Sequence, residues 1–325
     1  VHLQGGEISG NIDNKVRNAN SSLADIHFVC TEKSKKRVKS IATNSKYLFN
    51  YGCPSIDLVK KYSSKKYKFD YSDLRGVGNL HLKDQDYVIV MQHPVTNSES
   101  SSKFQIEQTL LAIKKLDMNT IWFWPNADSG ADKISKTLRV FRENEISSKI
   151  YFIKNLAPKK FIPLINNSKC LIGNSSLGIR ECSFLGIPVV NIGERQANRE
   201  RGNNVVNVDY NSGKILKKIR SQIERGRYPT NLIFGNGNSG KKIAEKLKTS
   251  VEFAKQSFPI KDTEFNIFSD YMVCLGIAKL IFYPNKDEFS QNWAVDRRFK
   301  PRMHGEARDK MIKGWDLAIR RTLLK

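Results

Sequence analysis

The chain has 325 residues, 39% of them hydrophobic, with 55 Lys and Arg against 32 Asp and Glu, giving a net charge of +23 and a mean hydropathy of −0.48. That length allows two domains with cores of their own, and no apolar run approaches the roughly 20 residues that a membrane span needs, so no membrane partner is expected. The basic balance allows a nucleic-acid binder, but the lysines are scattered over predicted helices and loops (33–39, 60–68, 214–218, 241–248) with no recognised nucleic-acid module beside them. Solvated basic faces, mildly attractive to anionic substrates, are the better reading, and no specific nucleic-acid partner is expected.

The five cysteines (Cys30, Cys53, Cys170, Cys182, Cys274) show neither paired spacing nor Cys-x-x-Cys, and read as reduced thiols of a cytoplasmic protein. The first residues do not read as a signal peptide. No metal-ligand cluster is visible, so neither metal nor cofactor is expected.

In chain order, a strand ends at His2-Leu3 and leads into a Gly-rich turn, Gln4-Gly5-Gly6-Glu7. Ile12, Val16, Ala19 and Leu23 then recur at helical spacing. Residues 26–30 read as strand, Thr31 opens a basic helix, and residues 47–51 form another strand ahead of a short helix. The Lys/Ser/Tyr-rich stretch that follows, to residue 80, is poorly patterned and reads as an interdomain connection. Beyond it comes a regular β/α alternation. Strands are predicted at 87–91, 120–124, 150–153, 170–173, 189–192 and 205–208, with helices marked by Phe104/Ile106/Leu110/Ile113, Ile134/Leu138/Phe141, residues 160–166 and Ile215/Ile219/Ile223. Trp122 and Trp124 alternate along their strand and read as core rather than as base-stacking groups. Such alternation calls for parallel strands with crossover helices. The fold class is α/β, two Rossmann-like domains facing a cleft with the first incomplete, divided at 1–80 and 81–255, followed by a linker and helical C-terminal tail at 256–325.

The organising stretch is Cys170-Leu-Ile-Gly-Asn-Ser-Ser-Leu-Gly-Ile-Arg-Glu181. It reads as an apolar strand stopping at Gly173, a loop of small polar residues, and a helix from about Ser176. The loop presents backbone N–H groups, the Ser175 and Ser176 hydroxyls and a helix dipole to a diphosphate, with Glu181 one to two turns in as an acceptor. An ordinary capped surface helix has the same composition at Asn174-Ser175-Ser176, and both readings stand on the residues alone. The next strand delivers Glu194, Arg195 and Gln196, and in open parallel sheets ligands sit beyond such carboxyl ends. Glu7 and Asp13 bracket the first Gly-rich turn; paired carboxylates push their pKa values apart, which suits an acid/base pair, although helix N-terminal charge explains them as well. His93, just after a strand, reads either as a residue facing the same cleft or as a loop histidine fixed by Pro94.

Gly173-Asn-Ser-Ser-Leu-Gly-Ile-Arg-Glu181 with Gly186-Ile-Pro-Val-Val-Asn-Ile-Gly-Glu-Arg-Gln196, His2-Leu-Gln-Gly-Gly-Glu-Ile-Ser-Gly10 and Gln92-His-Pro-Val-Thr96 resemble three ordered blocks of the hydrolysing UDP-N-acetylglucosamine 2-epimerases, over about residues 1–247. The resemblance implies the two-domain GT-B architecture, no metal, a homodimer, a UDP-sugar substrate, and catalytic positions at Asp13 and His93. It places Asn126, Gly173, Asn174, Ser175, Ser176, Glu181, Arg195 and Gln196 in the nucleotide site: hydroxyls and amides on the diphosphate, Glu181 on the ribose, Arg195 as a clamp. Otherwise Arg195 reads as a solvated loop arginine, as Arg199 and Arg201 do.

Two departures qualify this. Gln4 stands where many of the wider family carry Glu, so any acid/base work there falls to another group. The resembled proteins also have strands, with an acidic residue and an Arg used in the site, ahead of the first block. Residues 276–320, with Asp296-Arg-Arg-Phe-Lys-Pro-Arg-Met303 and Gly314-Trp315, are similar to the end of glycerol kinases, a docking segment without its own domain that implies no kinase activity. The implied activity is hydrolysis of UDP-N-acetylglucosamine, or a 2,4-diacetamido relative, to UDP and a manno-configured sugar for sialic or legionaminic acids. The alternatives are a non-hydrolysing 2-epimerase or GT-B glycosyltransferase, and an inactive UDP-binding fragment fused to a kinase tail. Asp-Ser-Gly-Gly and His-Val-Glu-Ala-Gly, typical of the non-hydrolysing branch, are replaced here by Gly173-Asn-Ser-Ser176 and His2-Leu-Gln-Gly-Gly-Glu7.

Overall fold

The computed structural model describes residues 1–9, 13–42, 45–78, 86–95, 100–126, 128–145 and 149–257. The glycerol-kinase-like tail with Cys274, Trp293 and Trp315 lies outside the described residues, as do Gly10, Ile12 and Thr96. Val1–Ser257 pack as one compact unit built on two sheets.

The first sheet holds three parallel strands in sequence order, β1 (His2–Leu3), β2 (Ile26–Val29) and β3 (Tyr47–Asn50). Their crossovers are α1 (Asp13–Leu23) and α2 (Glu32–Ile41), and α3 (Pro54–Tyr62) follows β3. Local chemistry sets these starts. Thr31 Oγ1 accepts from the Ser34 amide at 3.1 Å to cap α2, and Pro54 opens α3 where a missing N–H costs nothing. Val38 of α2 is buried on Val29 and Leu48.

The apolar spacing of α1 does form a helix, but its stripe faces outward: Val16 is 57% and Leu23 84% exposed, and Ala19 is exposed too. The helix crosses over the edge strand β1, beyond which the described residues provide no further strand. The inward residue is instead the small polar Ser21, whose hydroxyl meets His2 Nδ1 at 2.9 Å.

The second sheet has seven strands: β4 (Gly76–Gly78), β5 (Tyr87–Met91), β6 (Asn119–Phe123), β7 (Ile150–Ile153), β8 (Leu171–Gly173), β9 (Val189–Ile192) and β10 (Val205–Val208). Their order is β10-β9-β8-β5-β6-β7-β4, parallel except for β4, which runs antiparallel to β7. The stretch read as an unpatterned connection therefore contains a strand. Gly-Val-Gly carries no strand signal of its own and is held by the β7 backbone.

Both faces of this sheet are covered, as buried parallel strands require. Val88, Val90 and Trp122 face Ile106 of α4 (Ser102–Leu116), Leu138 of α5 (Ala131–Asn144) and Ile219 of α9 (Ser212–Arg225). Tyr87, Ile89 and Ile121 face the other way, onto Leu164 and Ile165 of α6 (Pro158–Asn166). The period of two along β5 delivers alternate residues to the two cores.

The sheets are joined through α3, which packs on α6, on α8 (Glu181–Leu185) and on α10 (Ser239–Ser257). Cys30, Cys53 and Ile56 from the first half are buried with Ile179 and Phe234 from the second. Asp57 of α3 caps α10, its carboxylate accepting from the Ser239 and Gly240 amides at 2.9 and 2.7 Å.

Candidate active site

The strands of both sheets end towards one another, so the loops after β1, β5, β6, β8 and β9 converge. Side chains reach across: Arg199 donates to the Glu7 carboxylate, and Arg180 Nη1 donates to Gln4 Oε1 at 3.2 Å. Within this arrangement Glu7 is 6% exposed, its Oε2 held by Arg199 while Oε1 is buried without a hydrogen-bond donor. Asp13 opens α1 and is exposed. Between them Arg17 Nη1 donates to the Glu7 carbonyl at 3.0 Å and to Asn14 Oδ1 at 3.1 Å, tying the turn to the helix that follows.

On the second sheet, His93 is fixed from three sides. Its amide donates to Asn174 Oδ1 at 2.7 Å, its carbonyl accepts from Asn174 Nδ2 at 2.8 Å, and its Nδ1 accepts from the Asn126 amide at 3.2 Å. Burial, reinforced by the Arg195 cation, pushes the imidazole pKa down to about 4. The ring is therefore neutral at pH 7, and with Nδ1 accepting, its proton resides on Nε2.

The Gly173-to-Glu181 segment departs from a continuous helix. Ser175 caps α7 (Ser176–Ile179) by accepting from the Leu177 amide at 3.4 Å, the backbone breaks at Arg180, and Glu181 opens α8. With four residues in α7, the donors are local N–H groups and hydroxyls rather than a long helix dipole. Gly173 has a φ of +128°, and a Cβ there would sit 2.1 Å from the Met91 carbonyl oxygen, so glycine alone lets β8 pass the end of β5. Asn174 spends its side chain on the His93 backbone, which makes it a strut between β5 and β8. Glu181 is 9% exposed, with Arg180 Nε at 3.8 Å and Oε2 without a hydrogen bond.

Arg195 Nη1 donates to the Asn174 carbonyl at 3.3 Å, and Nη2 lies 3.6 Å from Asp128 Oδ2, which also accepts from Asn126 Nδ2 at 2.6 Å. Gln196 is 2% exposed and donates to the same carbonyl at 2.8 Å. Its Oε1 accepts from Arg199 Nη1 at 2.9 Å, which carries the network on to Glu7. Arg199 is thus no solvated loop arginine, and Arg201, reaching the Gln196 carbonyl at 2.6 Å, braces the same loop. A cavity of about 550 Å³ lies beside that loop, lined by Glu194, Arg201, Asp209 and Lys214 among others and by none of the candidate catalytic residues.

The profile described as UDP-N-acetylglucosamine 2-epimerase matches residues 1–248, three-quarters of the chain and every residue of this network. The chain belongs to the UDP-N-acetylglucosamine 2-epimerase family. Among curated relatives, the UDP-N,N'-diacetylbacillosamine 2-epimerase (hydrolyzing) of Legionella pneumophila is 31% identical over 256 residues, covering 77% of this chain and 64% of its own length. The chain thus spans just under two-thirds of that relative. The crystal structure of the Neisseria meningitidis UDP-GlcNAc 2-epimerase bound to UDP-GlcNAc shares the fold, with a TM-score of 0.59 at 18% identity over 76% of this chain and 69% of that one. A separate segment is 48% identical over 55 residues to the glycerol kinase of Sinorhizobium fredii, covering 15% of this chain and 11% of that enzyme.

Sequence reasoning missed three residues in or beside this network. Arg199 pairs with a carboxylate 192 positions away, so no local pattern marks it. Asp128 was not singled out, although it follows Asn126 by two residues at the same strand end. Tyr210 lies under the β9 turn, where a Cβ on Gly193 (φ +71°) would come 2.2 Å from its hydroxyl oxygen; burial and the Glu194 charge push its pKa up to about 12.

Proposed function

We propose that this chain acts as a hydrolysing UDP-N-acetylglucosamine 2-epimerase, taking UDP-N-acetylglucosamine or a 2,4-diacetamido relative to UDP and the manno-configured sugar. The observation that supports the reading is a pair of buried carboxylate oxygens without hydrogen bonds, Glu7 Oε1 after β1 and Glu181 Oε2 at the start of α8, in the same unit as the neutral His93. Buried polar atoms are nearly always satisfied, so an unsatisfied carboxylate oxygen is a candidate acceptor for a ligand.

The chemistry assigns them. Glu181 accepts from the ribose hydroxyls, while Ser175, Ser176 and Arg195 hold the diphosphate, whose negative charge grows as the C1–O bond breaks. Glu7 takes the proton from C2, and His93 Nε2–H donates to the departing phosphate oxygen. Water then adds to the glycal, its oxygen to C1 and a proton to C2. Inversion at C2 needs that proton delivered on the face opposite the one deprotonated, so two acid/base groups are required; Asp13, across the turn from Glu7, supplies the second. The relatives named hydrolyzing support the water-adding branch. The protein is read as cytoplasmic on its cysteine usage and as dimeric on the family resemblance. A second reading, UDP binding without turnover, draws on the outward Val16 and Leu23 of α1.

Incubating the chain with UDP-N-acetylglucosamine and following it by NMR separates these. Free UDP with N-acetylmannosamine supports hydrolysis. A C2-epimerised sugar still attached to UDP assigns the non-hydrolysing branch. No turnover with UDP-dependent thermal protection supports binding alone.

A further inference from the structure

Beneath the Gly-rich turn, Cys30 and Cys53 follow adjacent parallel strands, β2 and β3, and are buried in one cluster at 1% and 0% exposure. Both side chains belong to the same small buried cluster, with Ile56, Ile179 and Phe234. Cys53 sits at the N-cap of the nine-residue α3, where backbone N–H groups favour an anion. It is surrounded by donors: Gln4 Nε2 at 3.2 Å and the Ser55 hydroxyl at 3.0 Å, with the Arg180 guanidinium close enough to attract its charge. Nothing in the epimerase chemistry uses this sulfur.

We propose that Cys30 and Cys53 form a redox-sensitive dithiol that a small hydroperoxide converts to a disulfide, with Cys53 as the attacking sulfur and Cys30 as the resolving one. Gln4, Ser55 and Arg180, the polar groups around the sulfur, are each only partly buried. The pair is chemically asymmetric. The neighbouring Cys30 thiol leads the effects that bring the Cys53 pKa down to about 7, while Cys30, beside Cys53 and itself buried, is held far above the usual thiol range. The Cys53 thiolate attacks one peroxide oxygen, the O–O bond breaks, and hydroxide leaves and is protonated to water, leaving a sulfenic acid. The Cys30 sulfur gives up its proton and displaces the sulfenic hydroxyl as a second water, forming the S–S bond. Two thiols lose two electrons and two protons, and one hydrogen peroxide becomes two waters. The other two described cysteines lack this setting: Cys170 and Cys182 are fully buried, and burial raises both thiols well above their ordinary range.

The test is mapping of the full chain after a stoichiometric pulse of hydrogen peroxide at pH 7.5, alkylation in denaturant and non-reducing digestion. The expected result is loss of two of the five thiols, a cross-linked Cys30–Cys53 peptide, and full recovery with dithiothreitol. In Cys30→Ser, a dimedone-trappable sulfenic acid accumulates at Cys53 and no cross-link forms. In the unsubstituted chain, oxidation spread over Cys170, Cys182 and Cys274, or a Cys53 that survives as free thiol, overturns the proposal even if the variant fails to fold.

Discussion

The two sheets that meet at the site are finished to different degrees. The seven-stranded sheet is covered on both faces, and its helices present Ile106, Leu138, Ile215 and Ile219 to a dry core. On the three-stranded sheet, α1 turns Val16 and Leu23 to solvent and buries only Ser21. The groups proposed to bind the nucleotide stand on the closed sheet, and the carboxylates proposed as acid and base on the open one. In that reading, binding and the His93 proton donor rest on the closed sheet, while the Glu7 base depends on a cross-sheet tie to Arg199, beside that of Arg180 to Gln4. The difference teaches that ligand affinity and turnover should respond to separate substitutions.

The largest expected effect comes from Glu7→Gln. It keeps the shape and removes the proton acceptor, so sugar release should fall about 10²–10⁴-fold, the usual worth of a positioned general base. UDP affinity, measured by calorimetry, should stay within a few-fold. A parallel loss of binding would show that the two sheets do not divide the labour.

Arg199→Met tests the tie itself. It leaves the Glu7 carboxylate buried without its cation, which costs about 3–5 kcal/mol by urea denaturation. Adding Glu7→Gln to the same chain should recover most of that, because the penalty belongs to the uncompensated charge rather than to the lost contact. Glu181→Gln, on the closed sheet, should weaken UDP by roughly ten- to hundred-fold, the worth of hydrogen bonds to a charged acceptor, with little change in unfolding midpoint.

How far these residues were legible in the sequence follows from where their partners lie. Strands at 87–91 and 150–153 match their apolar runs residue for residue, because a parallel strand buried on both faces is nearly continuously apolar. Those at 189–192 and 205–208 match as well, each with one asparagine, and Asn191 donates to Asn207 across the pair at 3.0 Å. β4 escaped notice because Gly76-Val77-Gly78 has no pattern and exists only as a partner of β7. The Gly-Asn-Ser-Ser block was visible as composition, yet its division of labour was not: Asn174 holds the His93 backbone, and the helix breaks at Arg180. Arg199 was misread as solvated because two further arginines within six residues suggest a surface loop, and the buried carboxylate that captures it lies at the other end of the chain.

His93 supplies a pH test of the closed sheet. Its pKa is about 4 when folded and near 6.5 in an unfolded chain, so the folded state binds fewer protons in that window. Stability should therefore be complete above about pH 6.5 and decline as the pH falls towards 4, by on the order of 1–3 kcal/mol for this group. His93→Asn should flatten that acid limb in denaturation curves taken at successive pH values.

The smallest expected effect probes the open sheet most directly. Leu23 is 84% exposed on α1, whereas Leu138 of α5 has an exposure of 0%, although both are leucines on crossover helices. Leu138→Ala should cost about 2–5 kcal/mol, from lost transfer energy and an incompletely collapsed cavity. Leu23→Gln removes a side chain that water already surrounds and should change stability by less than about 0.5 kcal/mol. The contrast needs no assumption about catalysis, because it asks only whether α1 buries anything in solution. If Leu23→Gln instead costs as much as Leu138→Ala, some surface covers α1, the first sheet is as closed as the second, and the separation of binding from turnover loses its structural basis.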